Sequence, residues 1–176
     1  MNWSATAFAQ QKQLAALPEW RLERNERMAL WLRQQSTITL GLAVQGMQAA
    51  IEQAQRLGVK VSLVIVDASG MTIQMSHMDG APRPSQAIAL NKALTAAGFG
   101  RSTSEWTDRL QACSPAVQTG LPLQAGMALF GGGEPFLVNG EVVGAIGVSG
   151  ASEINDGLCA EAAAQRISDL VLLDAV

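Results

Sequence analysis

The 176-residue chain holds a single histidine, His77, and the residues around it are of the kinds that do chemistry. Met78 and Asp79 follow it directly, and Asp67 lies a short way upstream. Two carboxylates near an imidazole can carry acid–base work. Plainer roles compete with this. A lone histidine more often serves the structure than a ligand, and each aspartate suits a turn, where its side chain accepts backbone hydrogen bonds. Lys92 stands in an otherwise apolar, alanine-rich run, where it can pair with one of these carboxylates or snorkel to water.

Two further stretches invite a chemical reading. Gly131-Gly132-Gly133 is followed by neither Gly-Lys-Ser/Thr nor a helix, which argues against a Walker-type phosphate loop. The expectation is a turn whose backbone, at Gly132 and Gly133, comes close to a ligand or a neighbouring subunit. Ser149 misses the Gly-x-Ser-x-Gly spacing of a nucleophile elbow, and no second histidine is available as its base, so a hydrolase is disfavoured.

The elements that must position these residues are organised around 130–164. Phe136 to Val138 is apolar and stops at Asn139-Gly140, the strongest short hairpin signal. The return run, Val142 to Val148, is apolar on both faces, as in a central strand covered on both sides. Gly144 and Gly147 interrupt it, which marks a close approach by another backbone or a ligand. Ser152 caps a helix from about Glu153 to Leu172, with Leu158, Ala162, Ala163, Ile167 and Leu170 facing inward.

Upstream, Leu40, Val44, Met47, Ile51 and Ala54 recur at helical spacing, and Gly58 stands where a left-handed cap belongs. Val59 to Val66 reads as a buried strand. Met71 to His77 alternates, placing Met71, Ile73, Met75 and His77 on one face of a second strand. Ser85 to Phe99 is an alanine-rich helix. Ser102 with Glu105 fits a capping box for a helix at Trp106 to Ala112, residues 113–124 read as loop, and Met127 to Phe130 as a short strand. The order predicts an α+β domain, profilin-like or PAS-like. Its sheet has about five strands and is largely antiparallel, with flanking helices mostly on one face.

Composition narrows the class. At 48% hydrophobic and 15% charged the chain can bury a good core. A net charge of −3 and a pI near 5.1 argue against a nucleic-acid partner. Cys113 and Cys159 have no metal-type spacing and read as buried thiols in a reducing compartment. No run approaches a membrane span, and the first residues lack the basic and apolar regions of a signal peptide, so the expectation is a cytoplasmic protein. Residues 1–37 differ from the remainder: Lys12, Arg21, Arg24, Arg27 and Arg33 outnumber Glu19, Glu23 and Glu26 there. They are expected to form an N-terminal helical extension, broken at Pro18. It either packs on its own domain or docks a partner, and the domain proper runs over 38–176.

In order along the chain stand Val64-Ile65-Val66-Asp67-Ala68-Ser69-Gly70, Met78-Asp79-Gly80-Ala81-Pro82, Lys92-Ala93-Leu94-Thr95-Ala96 and Thr103-Ser104. Gly132-Gly133-Glu134-Pro135, then Asn139 to Ala151, and Asp156 follow. These motifs span about residues 38–172 and resemble the family of GlcG and the haem-binding protein HbpS, which includes the C-terminal domain of PduO-type proteins. The resemblance implies a profilin-like domain that forms homo-oligomers and, in several relatives, binds haem. The adenosyltransferase label of some relatives belongs to a separate N-terminal domain, for which residues 1–37 are far too short. Two positions depart from the pattern: His77 stands where arginine is common, and Glu134 where an aliphatic residue is common.

The resemblance makes haem, or a related tetrapyrrole, the favoured cofactor of a non-enzymatic ligand-binding domain. His77 is then the candidate iron ligand, since imidazole and thioether are both axial ligands to haem iron. Met78, Asp79, Lys92, Gly132, Gly133 and Gly147 are candidate ligand-binding residues, Lys92 as a partner for a propionate. Two other classes stay open: an assembly or cargo protein docking through its N-terminal arm, and an enzyme on a small metabolite using Asp67, His77 and Asp79.

Overall fold

The computed structural model describes residues 34–173. The expected extension, residues 1–37, lies almost wholly outside them. Helix α1 (Leu40–Leu57) starts at Thr39, whose side chain accepts from the Leu42 N–H, and ends at Gly58 with φ of 67°. Strands β1 (Ser62–Asp67) and β2 (Thr72–His77) form an antiparallel hairpin. Helix α2 (Ser85–Phe99) follows. An excursion then carries the short helices α3 (Trp106–Gln111) and α4 (Pro115–Gly120). The second hairpin, β3 (Gly133–Val138) and β4 (Glu141–Ser149), turns at Asn139 and Gly140, both at positive φ. The last helix is α5 (Glu153–Leu173).

The sheet is antiparallel, in the order β2-β1-β4-β3. Among the described residues it has four strands rather than about five: Met127 to Phe130 forms no strand, and the stretch expected as loop, 113–124, holds α4 and a 3-10 turn at Leu121–Leu123. The helices lie on both faces rather than mostly one. On one face Leu63, Ile65, Phe136, Ile146 and Val148 pack with Met47 and Ala50 of α1 and with Ala163 and Ile167 of α5. On the other, Val64, Val66 and Ala145 pack with Ala89, Ala93 and Ala96 of α2. Small side chains on α2 are what let it lie so close. The helix faces also need correction. Leu40 and Val44 of α1 and Leu158 of α5 are exposed, because Ala43, Gly46, Met47, Ala50 and Ala54 make the tight α1–α5 contact instead.

Gly147 meets the expectation of a close approach. The atoms over it belong to the α2 backbone: a Cβ there would overlap the Ala89 carbonyl oxygen and lie 2.5 Å from the Ala93 nitrogen. Gly133, its partner on β3, is pressed the same way against the Lys92 carbonyl and Thr103. The candidate ligand glycines Gly132, Gly133 and Gly147 thus line an internal seam between sheet and helix, not an open cradle.

Candidate functional site

The β1–β2 register puts Ser62 opposite His77 and Val64 opposite Met75. Val64 belongs to the α2 side of the sheet, so Met75 and His77 look that way too. Ile73 does not share their face. A register shift beside Val66 leaves it unpaired, and it packs into the core on the α1–α5 side. Met78 also packs there, turned away from His77.

Between β2 and α2 lies a groove of about 340 Å³. Val64, Met75, Ala87 and Leu90 give it an apolar floor, with Thr72, Arg83 and Gln86 as its polar groups. Arg83 makes no ion pair among the described residues. His77 stands on the same face, one strand repeat beyond Met75, at the sheet's edge. Its Nδ1 lies 2.7 Å from the Ser62 Oγ. Ser62 Oγ lies 2.7 Å from Ser85 Oγ, and the Ser85 hydroxyl donates to the Pro82 carbonyl at 2.5 Å. Ser62 and Ser85 are buried while the imidazole is exposed. Arg83, Ser62 and Ser85 went unsingled in the sequence. The hairpin register is the signal that would have paired Ser62 with His77.

The other candidates are scattered. Asp67 sits at the turn end of the hairpin, five residues along β1 from Ser62 and so about 16 Å from His77 at 3.3 Å per residue. Its carboxylate is occupied: Oδ1 accepts from the Ser69 hydroxyl at 2.6 Å and from the Ser69 and Met71 N–H groups. The Ser69 hydroxyl leads these bonds in holding the carboxyl below its usual range. Asp79 is exposed in the loop after β2. The structure therefore does not bring Asp67, His77 and Asp79 together.

Lys92 pairs with neither of those aspartates. It is fully buried and bonds Asp156 Oδ2 at 2.9 Å and the Val148 carbonyl at 2.8 Å, with the Phe130 ring 4.8 Å away. Burial lowers its pKa, and Asp156 opposes the shift. Asp156 in turn accepts from the Ala151 N–H at 3.0 Å. This pair ties α2 to the start of α5 and leaves Lys92 no reach to a surface ligand.

Glu134 faces a different depression, of about 390 Å³, between β3 and α5. Its carboxylate accepts from the Ser102 hydroxyl at 2.5 Å. Burial, with Glu161 and Glu105 nearby, pushes its pKa up to about 7. Among the described residues no group of acidic, histidine or cysteine side chains is arranged to hold a bare metal ion. No described helix is long and apolar enough to cross a membrane. Cys159 is buried, and burial raises its thiol to about 11; Cys113 is only partly buried, against expectation.

Comparison with known proteins places this geometry. A 15.0 kDa protein from the dhaT–dhaS intergenic region of Citrobacter freundii is 40% identical over 138 residues, covering 78% of this chain and 97% of that one. The crystal structure of Klebsiella pneumoniae protein ORFY superposes with a TM-score of 0.72 at 36% identity, over 78% of this chain and 94% of that one. A crystal structure of PduOC in complex with heme superposes with a TM-score of 0.68 at 32% identity, over 74% and 94%. Residues 38–165 match the family described as haem degrading protein HbpS-like, and with most of its described fold inside that match, the chain belongs to the HbpS-like family.

Proposed function

We propose that this protein is a non-enzymatic ligand-binding domain that takes haem, or a related tetrapyrrole, against the β2–α2 groove with His77 facing the iron. The observation that carries the reading is the exposed imidazole of His77, held at Nδ1 by Ser62 on the groove's own face. The donor set fits the group. Val64, Met75, Ala87 and Leu90 offer apolar contact, and Arg83 a cation for a propionate. Bound haem would supply iron coordination chemistry; the chain supplies the imidazole, the apolar floor and the charge. The heme complex of a relative at 32% identity supports the choice of ligand.

The histidine count limits the coordination. One protomer offers one imidazole. Met78 is turned into the core, and Met75 is about 7 Å along the same strand, too near to reach the opposite side of one iron. We favour two arrangements over a methionine-paired one: His77 as the single protein ligand, or His77 from two chains across a two-fold axis, since β2 is an edge strand. Haem titration followed by the Soret band tests the reading. One haem per chain marks the single-ligand arrangement and one per two chains the shared one. His77→Ala is expected to abolish the wild-type spectrum in both. Unchanged spectrum and affinity in that variant would remove His77 as the ligand.

A further inference from the structure

A hydroxyl group carries one proton, and that limit orients the whole chain of contacts behind His77. The Ser85 hydroxyl spends its proton on the Pro82 carbonyl, which can only accept. Ser85 Oγ must therefore accept at its contact with Ser62, so the Ser62 hydroxyl is the donor there. With its proton so used, Ser62 Oγ can only accept from the imidazole. The direction runs from His77 Nδ1–H to Ser62 to Ser85 to Pro82.

We infer that Ser62 and Ser85 are positioning residues that lock neutral His77 as the Nδ1–H tautomer, so that Nε2 presents a lone pair toward the ligand. A ring in that state coordinates a metal or takes a proton; it cannot donate a hydrogen bond from Nε2. The two serines stand to His77 as outer partners stand to a metal-bound histidine, fixing both tautomer and ring angle. Both are buried at the junction of β1, β2 and the start of α2, so the ring's orientation is set by the rigid part of the fold. The Pro82 carbonyl, three residues before Ser85, is what makes the direction one-way.

The tautomer itself does not depend on haem; only its use as an iron ligand rests on the function proposed above. Because the chain has one histidine, a two-bond ¹H–¹⁵N correlation spectrum of the full chain without haem contains one imidazole. At alkaline pH, where imidazole is neutral, the wild type is expected to show a protonated Nδ1 and a bare Nε2. Ser85→Ala frees the Ser62 proton to turn toward Nδ1, so the ring is expected to shift to Nε2–H, while Ser85→Thr keeps the wild-type pattern. An Nε2–H tautomer in the wild type overturns the inference without any variant. So does a Ser85→Ala spectrum unchanged from wild type. With haem added, Ser85→Ala is expected to lower affinity about 10–100-fold, as loss of an outer partner does. If His77→Ala leaves haem binding unchanged while the wild type shows Nδ1–H, the haem reading fails and the relay stands.

Discussion

Gly147 offers a test in which the structure dictates both sign and size. A Cβ at this position meets the Ala89 carbonyl and the Ala93 nitrogen, both backbone atoms of α2. No rotamer change relieves such a clash, so α2 must lift from the sheet and loosen Val64, Val66 and Ala145 beneath it. Overpacking in a close-packed core costs about 1–3 kcal/mol, and a clash with backbone belongs at the upper end. At roughly 3–5 °C per kcal/mol for a domain of this size, Gly147→Ala should lower the Tm by about 9–15 °C. Gly157 in α5 is the control, because a Cβ there meets nothing within 4 Å. Replacing glycine by alanine inside a helix gains about 0.5–1 kcal/mol, so Gly157→Ala should melt a few degrees higher. Thermal unfolding followed by circular dichroism reads both. A Gly147→Ala protein melting within about 2 °C of wild type would refute the argument, since even the low end of overpacking predicts more.

Three further outcomes are expected. Lys92→Ala strands the Asp156 carboxylate in a dry site and should cost about 3–5 kcal/mol, whereas Lys92→Met with Asp156→Asn removes both charges, keeps an acceptor for the Ala151 N–H and should recover most of it; urea denaturation that finds equal losses in both sinks the pair's role. Glu134 keeps its proton to about pH 7 when folded but releases it near 4.5 when unfolded. Stability should therefore fall as pH rises from about 4.5 to about 7, and Glu134→Gln should flatten that slope. Deleting residues 1–36 spares Thr37 and Ile38, whose contacts to Val143 and Ala68 secure β4 and the first hairpin's turn. We propose that the truncated chain folds with altered assembly; loss of its secondary structure by circular dichroism counts against a detachable arm.

What could be read ahead of the structure was whatever local chemistry decides. Asn139-Gly140 turns the second hairpin because both residues need positive φ, and Gly58 ends α1 for the same reason. The end of Ser85–Phe99 was legible because Gly100, at φ of 63°, caps it directly. Strand parity failed at Ile73, where a register shift depends on the partner strand and leaves no trace in the alternation. The partner of Lys92 was missed because Asp156 is 64 residues away and only the packing of α2 against β4 brings them together. Of the site, His77 was visible as a residue type. Ser62 and Ser85 look like any serines until the register sets them in line.

The strand order carries a consequence for how the chain is made. β1 is flanked by β2, made moments later, and by β4, whose Ser149 pairs with Ser62 and whose Gly144 pairs with Asp67. The second edge of β1 thus waits for about 80 more residues, roughly 4–16 s at ribosomal speeds of about 5–20 residues per second. Through that interval a strand of Leu63, Val64, Ile65 and Val66 has an open ladder on one side. Nascent chains stalled between α2 and β3 should therefore be the species that trigger factors and other holdases capture most avidly.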